Sequence, residues 1–212
     1  MIAATGGTPG TEEYRRLSSD PVVQSMSRTD FLIILGNCGI TAARGDFSEA
    51  VRLYRSLPCS VLFLDGASDD YDLLADFPPF PWNGGMTQNI SRGITRLMRG
   101  QVFTLSGKTF FVMGGAGTPG RTDSERYYTW WPEQDISQAD VETGMENLDR
   151  CGRRVDYILT CARPSKWGGR SEELDAFTDI NYGIWIFADS DERKEYPEYG
   201  AVCPGHTVVR LL

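Results

Sequence analysis

Residues 31–66 read FLIILGNCGITAARGDFSEAVRLYRSLPCSVLFLDG, and this stretch decides the fold class. Two continuous apolar runs of strand length, 31–35 and 61–64, flank a segment with helical periodicity. Runs this short without polar alternation are strands buried on both faces. Between them Asp46 followed by Glu49 has the pattern of a capping box, and Phe47, Ala50, Val51, Tyr54 and Leu57 then fall on one helical face. The unit is strand, helix, strand, the building block of a sheet covered by helices.

Outward from this unit, apolar runs of the same kind recur at 1–5, 109–113, 155–159 and 183–187. Ser137 with Asp140 repeats the capping pattern and opens a helix whose Val141, Met145 and Leu148 share a face before Cys151 and Gly152 end it. From 84 to 113, short alternating segments punctuated by Gly93, Gly100 and Gly107 predict antiparallel hairpins, so the sheet is mixed. The Gly/Pro/Thr-rich stretch 114–126 and the Pro-rich stretch 77–85 are expected as loops. No internal repeat or interdomain linker interrupts the pattern, and residues 1–212 are expected to form one α/β domain.

Composition bounds the function. The 212 residues, 41% hydrophobic and 24% charged, suffice for a sizeable core. The longest apolar runs fall far short of the ~20 residues that span a bilayer. Residues 1–5 carry no basic leader before Gly6 and Gly7; a cytoplasmic protein is expected, with no membrane segment or secretory signal. Cys38, Cys59, Cys151, Cys161 and Cys203 are odd in number and form no CxxC pair, which argues for reduced thiols rather than a disulfide framework or a structural zinc site. A formal net charge of −8 without a Lys/Arg run excludes polymeric nucleic acid as the expected partner and leaves a small ligand or a protein.

In open α/β sheets ligands bind beyond the carboxyl ends of the strands, which directs attention to the residues that follow each run. They are Gly6-Gly7-Thr8-Pro9-Gly10, Gly36-Asn37-Cys38-Gly39, Asp65-Gly66-Ala67-Ser68-Asp69, Thr160-Cys161-Ala162-Arg163-Pro164 and Ala188-Asp189-Ser190-Asp191. Together with Leu97-Met98-Arg99-Gly100-Gln101-Val102-Phe103, Met113-Gly114-Gly115-Ala116, Trp130-Trp131-Pro132-Glu133 and Val155-Asp156-Tyr157-Ile158-Leu159-Thr160, these loops resemble, in order and spacing, the motifs of calcineurin-like metallophosphoesterases, notably small bacterial and phage members. The resemblance covers nearly the whole chain and implies a four-layer α/β/β/α sandwich of two mixed sheets.

The resemblance also implies a dinuclear metal centre, and the ligand positions are the ones that differ. Gly7 and Pro9 stand where the family has an Asp and a His, and Asn37 where an Asp bridges the two cations. Ala67 and Ser68 replace a ligand Asn and the catalytic His, Cys161 replaces a His, and Asp189 and Asp191 stand where the last motif has two more. A hydroxide made and clamped by two metals has no support in such a set. The expectation is a catalytically inactive protein with no catalytic residue, metal or cofactor. It would bind a phosphorylated small molecule, foremost a nucleotide, in the vacated cleft through Thr8, Gly10, Asn37, Ser68, Cys161, Arg163, Lys166 and Asp189. Sequestration, as by a phage sponge for an immune signal, is one use that the resemblance suggests.

Alternatives stay open from the residues alone. Asp189, Asp191, Asn37 and Cys161 could form a new oxygen-rich metal site, or be loop carboxylates and a filler thiol. Cys161 as a nucleophile lacks an activating His, since the single His206 lies near the C-terminus. Arg163 and Lys166 suit a phosphate but equally a surface. The first loop could cradle an anion by backbone N–H groups where a helix starts near Glu12, were Glu12 and Glu13 not there to compete. Tyr127, Tyr128, Trp130 and Trp131 could stack on a base, pack in the core or form the patch of a protein-interaction module.

Overall fold

A computed structural model of the chain describes residues 1–8, 10–42, 45–115 and 131–212. In chain order the first strands are β1 (Ile2–Thr5), β2 (Phe31–Leu35), β3 (Ser60–Leu64), β4 (Pro79–Trp82), β5 (Gly85–Ser91) and β6 (Ile94–Leu97). They are followed by β7 (Gln101–Leu105), β8 (Lys108–Met113), β9 (Arg154–Thr160), β10 (Asn181–Phe187), β11 (Lys194–Tyr196), β12 (Ala201–Cys203) and β13 (Val209–Arg210). One sheet has seven strands in the order β13-β1-β2-β3-β6-β5-β4, the other six in the order β11-β12-β10-β9-β8-β7. In each, four adjacent strands run parallel: β1, β2, β3 and β6 in the first, β12, β10, β9 and β8 in the second. Antiparallel strands close both edges of each sheet.

The continuous apolar runs are explained by where their two faces go. Ile2, Ala4, Ile33, Leu35, Leu62 and Leu64 join Phe103, Phe110, Val112, Leu159 and Ile186 of the other sheet in one apolar layer between the sheets. The alternate residues Ala3, Leu32, Ile34, Val61 and Phe63 form a second layer with Tyr14 and Leu17 of α1 (Thr11–Ser19), Tyr54 of α3 (Phe47–Arg55) and Leu74 of α4 (Tyr71–Ala75), α2 being the short helix Pro21–Gln24. On the far side Phe111, Met113, Ile158, Trp185 and Phe187 pack with Leu148 of α5 (Gln138–Arg150) and Phe177 of a 3-10 turn. Successive side chains of a strand point to opposite faces, so a strand sandwiched between two apolar layers has no polar alternation to show. The layers are α/β/β/α.

Both capping patterns form, to different extents. Ser137 and Asp140 make the reciprocal box at α5, whereas at α3 the Asp46 carboxylate accepts from the Glu49 N–H (3.0 Å) with no return bond. The stretch 77–85 is not the loop expected from its prolines. Residues 79–82 pair antiparallel with β5 as the outermost strand, where Pro79 and Pro81 withhold no N–H that an inner ladder would need. β11 through β13, too short for a periodic signal, are likewise absent from the sequence reading. Most of the expected loop 114–126 lies outside the described residues. Among the described residues no helix is long and apolar enough to cross a membrane.

Candidate functional site

The parallel strands of both sheets end on one edge, where the loops singled out in the sequence pack against each other. Asn37 takes a left-handed backbone (φ 46°), and its Oδ1 accepts from the Ser68 N–H at 2.8 Å, which ties the loop after β2 to the loop after β3. Gly36 (φ 84°) lies so close to Cys161 that a Cβ there would collide with the sulfur, and a Cβ on Gly66 would stand 2.6 Å from Asn37 Oδ1. Only glycine permits both approaches. Cys161 is buried at 4% exposure. Burial, with the carboxylates of Asp65 and Asp69 near it, pushes its thiol up to about 12, so it is a protonated filler rather than a thiolate.

The other expected ligand-binding residues separate. Thr8 is buried, its Oγ1 donating to the Cys38 carbonyl (3.2 Å) and 2.6 Å from the Tyr54 hydroxyl, which turns it toward the core. Gly10 caps α1 without a side-chain bond, and the Glu13 carboxylate folds back to within 2.7 Å of where its Cβ would stand. The acidic side chain thus sits on the helix terminus that an anion would need. Arg163 Nε lies 2.9 Å from Asp189 Oδ2, its Nη2 donates to the Gly168 carbonyl (3.0 Å), and its guanidinium covers the Tyr196 ring at 5.0 Å. Lys166 is drawn away to Asp175, whose carboxylate accepts from its N–H (3.0 Å) and whose carbonyl accepts from its Nζ (3.3 Å). Asp191 faces His206, with Nε2 and Oδ1 3.2 Å apart. Asn37, Ser68 and Cys161 thus share one cluster of loops, to which the Thr8 backbone is tied by its N–H donating to the Asn37 carbonyl (3.0 Å), Arg163 with Asp189 forms a pair, and Gly10 and Lys166 stand apart.

The strongest electrostatic feature at this edge was not assigned from the sequence. Asp65, fully buried at the end of β3, accepts from Arg96 Nε (3.1 Å) and Nη2 (2.8 Å) on Oδ1, and from Arg99 Nε (2.8 Å), Arg99 Nη2 (2.5 Å) and the Tyr71 hydroxyl (2.8 Å) on Oδ2. Burial opposes the charge, but the two guanidinium groups outweigh it and hold Asp65 well below the usual carboxylate range. Arg96 also donates to Gln88 Oε1 (2.6 Å), and Arg99 to the carbonyls of Glu133 (2.6 Å) and Asp135 (2.8 Å). Four residues on, buried Asp69 accepts from the Thr41 hydroxyl (2.6 Å) and the Gly66 N–H (2.7 Å). Burial pushes its carboxyl up to about 7.

No family model matches this chain, and no curated protein matches it. Among solved structures, it is similar to a protein of unknown function from Aquifex aeolicus, with 12% identity over 99% of this chain and 94% of that one and a TM-score of 0.46. It is also similar to the phosphopantetheinyl hydrolase of Mycobacterium tuberculosis, with 12% identity over 95% of this chain and 86% of that one and a TM-score of 0.44. The likeness is weak.

The residues at the edge do not fit the dinuclear metal centre that the sequence resemblance implies. Of the oxygen groups near it, Asp65 is saturated by two arginines, Asp69 by Thr41 and Gly66, and Asp189 faces Arg163. Among the described residues no three His, Cys, Asp or Glu side chains come together in a way that could hold a metal ion. Pro9 of the first motif lies outside the described residues, as do Tyr127, Tyr128 and Trp130. Trp131 is partly buried against the helix-side core, its ring 6.3 Å from that of Tyr71. What the edge offers chemically is neutral donors. The Asn37 amide N–H groups and the exposed Ser68 hydroxyl make no hydrogen bond among the described residues. Arg96 and Arg99 did leave a trace in the sequence, as charged residues within or just after an apolar strand run, where only a buried partner would keep them.

Proposed function

We propose that this chain is a catalytically silent binding protein on a phosphoesterase-like scaffold, which takes a phosphorylated small molecule, foremost a nucleotide, at the carboxyl edge of its sheets and holds it without hydrolysis. The observation that carries the reading is the mutual pairing of the charged groups there. Carboxylates that a metal would use are bound by guanidinium, hydroxyl or N–H groups of the chain itself. A phosphate would therefore meet the Asn37 amide, the Ser68 hydroxyl and the largely buried Arg163 rather than metal ions, and such donors bind an anion without activating a water molecule. A protein that binds without turnover sequesters or senses its ligand.

Calorimetry of the purified protein against mono-, di- and cyclic nucleotides tests this. The expected result is binding below millimolar concentration with no product released in the presence or absence of Mn²⁺. Asn37→Ala and Arg163→Ala should each weaken binding about tenfold or more, the worth of one hydrogen bond to a charged group. If no nucleotide binds, or both variants bind as the parent does, the edge is not the ligand site. Hydrolysis that depends on Mn²⁺ and is lost in Asp189→Ala would instead make the chain an enzyme with a rebuilt centre.

A further inference from the structure

The opposite edge of the seven-stranded sheet, where β2, β3 and β6 begin, carries a basic cavity. Arg28 in the turn before β2, Arg55 in the last turn of α3, Ser60 at the start of β3, and Arg92 with Gly93 in the turn between β5 and β6 enclose about 490 Å3. Arg28 is fixed in place: its Nη1 donates to the Cys59 carbonyl (3.1 Å) and its Nη2 to the Arg55 carbonyl (2.8 Å). The side chains of Arg55 and Arg92 make no hydrogen bond or ion pair among the described residues. The neighbouring carboxylate, Asp30, is engaged by the N-terminal ammonium of Met1 and by the N–H and hydroxyl of Ser27. Three exposed guanidinium groups around one cavity, in a chain of net charge −8, give this edge a local positive potential that favours an anion.

We propose that this cavity binds a small phosphate-bearing anion, the size of pyrophosphate or the phosphate tail of a nucleotide. The guanidinium fork matches phosphate oxygens two at a time, and the two free forks, from a helix end and a hairpin, beside the fixed positive charge of Arg28 favour a compact polyanion over a single carboxylate. The concavity suits a small ligand rather than an extended polymer. This site is separate from the carboxyl-edge site, because β3, five residues long, puts about 16 Å between the two edges.

Titration calorimetry of the whole chain with sodium pyrophosphate at low ionic strength tests the proposal, with sodium chloride of matched ionic strength as comparison. Binding below millimolar concentration is expected, with a component weakened about tenfold or more in Arg55→Gln and in Arg92→Gln. Both arginines are exposed, so the fold should survive either change, which a melting curve checks. Absence of binding overturns the proposal, as does binding that both glutamine variants retain or an equal effect from sodium chloride. Loss of binding in Arg163→Ala but not in Arg55→Gln would move the anion to the other edge and overturn this site while supporting that one.

Discussion

Asp65 and Asp69 share a loop and are both fully buried, yet their environments drive them in opposite directions. Burial raises both. At Asp65 two arginines reverse the effect, while at Asp69 the bonds from Thr41 and Gly66 do not, and its carboxyl stands at about 7. The linkage follows from these signs. Asp69, raised above its unfolded value of about 3.9, contributes stability that is fully present below that value and is lost as pH rises through 7. Asp65, lowered, contributes stability that is present above its unfolded value and is lost as pH falls. Between pH 5 and 7 the stability should therefore decline as pH rises, by at most about 1.4 kcal/mol per pH unit for the one proton involved, and the melting temperature with it. Asp69→Asn should flatten that slope: its amide oxygen can accept from Gly66 while its N–H2 donates to the Thr41 hydroxyl. Thermal melts of both proteins at several pH values check this, and an equal slope in the variant would assign the titration to another group.

At the scale of elements, α5 shows how closely a helix is seated on the second sheet. Gly144 stands mid-helix, where glycine ordinarily costs about 1 kcal/mol relative to alanine. Here a Cβ would lie 3.0 Å from the Phe177 ring, 3.1 Å from the Phe111 ring and 3.1 Å from the Met113 methyl, and Gly100 (φ 67°) approaches the same turn from the start of β7. The glycine is the contact surface. Gly144→Ala should thus destabilise the protein by about 1–3 kcal/mol despite the better helix propensity, since overpacking a filled core outweighs it. At the other end of the scale, Ser137→Ala removes one half of a reciprocal box and should cost about 1 kcal/mol. Denaturant titration of the two variants separates these effects. A stabilised Gly144→Ala would mean that α5 can shift away from the sheet.

Across the whole molecule, the two sheets and their helices enclose three apolar layers, and the buried Asp65 at the carboxyl edge is paired with Arg96 and Arg99. Chelator is therefore expected to leave the melting temperature unchanged. Gly7→Asp combined with Asn37→Asp should lower it: a Cβ on residue 7 already meets the Gly36 carbonyl at 3.1 Å and Asn37 Cβ at 3.3 Å, and two carboxylates would then crowd one another with no cation between them. Calorimetric scans with and without Mn²⁺ decide this. A double variant that melts like the parent in chelator would show a wetter, more open edge.

The sequence by itself determined β1, β2 and β3 of one parallel core and β8, β9 and β10 of the other, the two principal helices and the edge on which the loops gather. Unbroken apolar runs and helical periodicity record which faces are buried, and burial of a face is a local property of an element. Tertiary structure alone decided the rest. Asp65 finds Arg96 and Arg99, 31 and 34 residues away, because β3 lies beside β6. Arg163 finds Asp189 because β9 lies beside β10. The Pro-containing stretch 79–82 is a strand only because it falls at an edge. Which charge meets which depends on strand order, and no local period encodes strand order; the same loops could present free charges or, as here, satisfy one another.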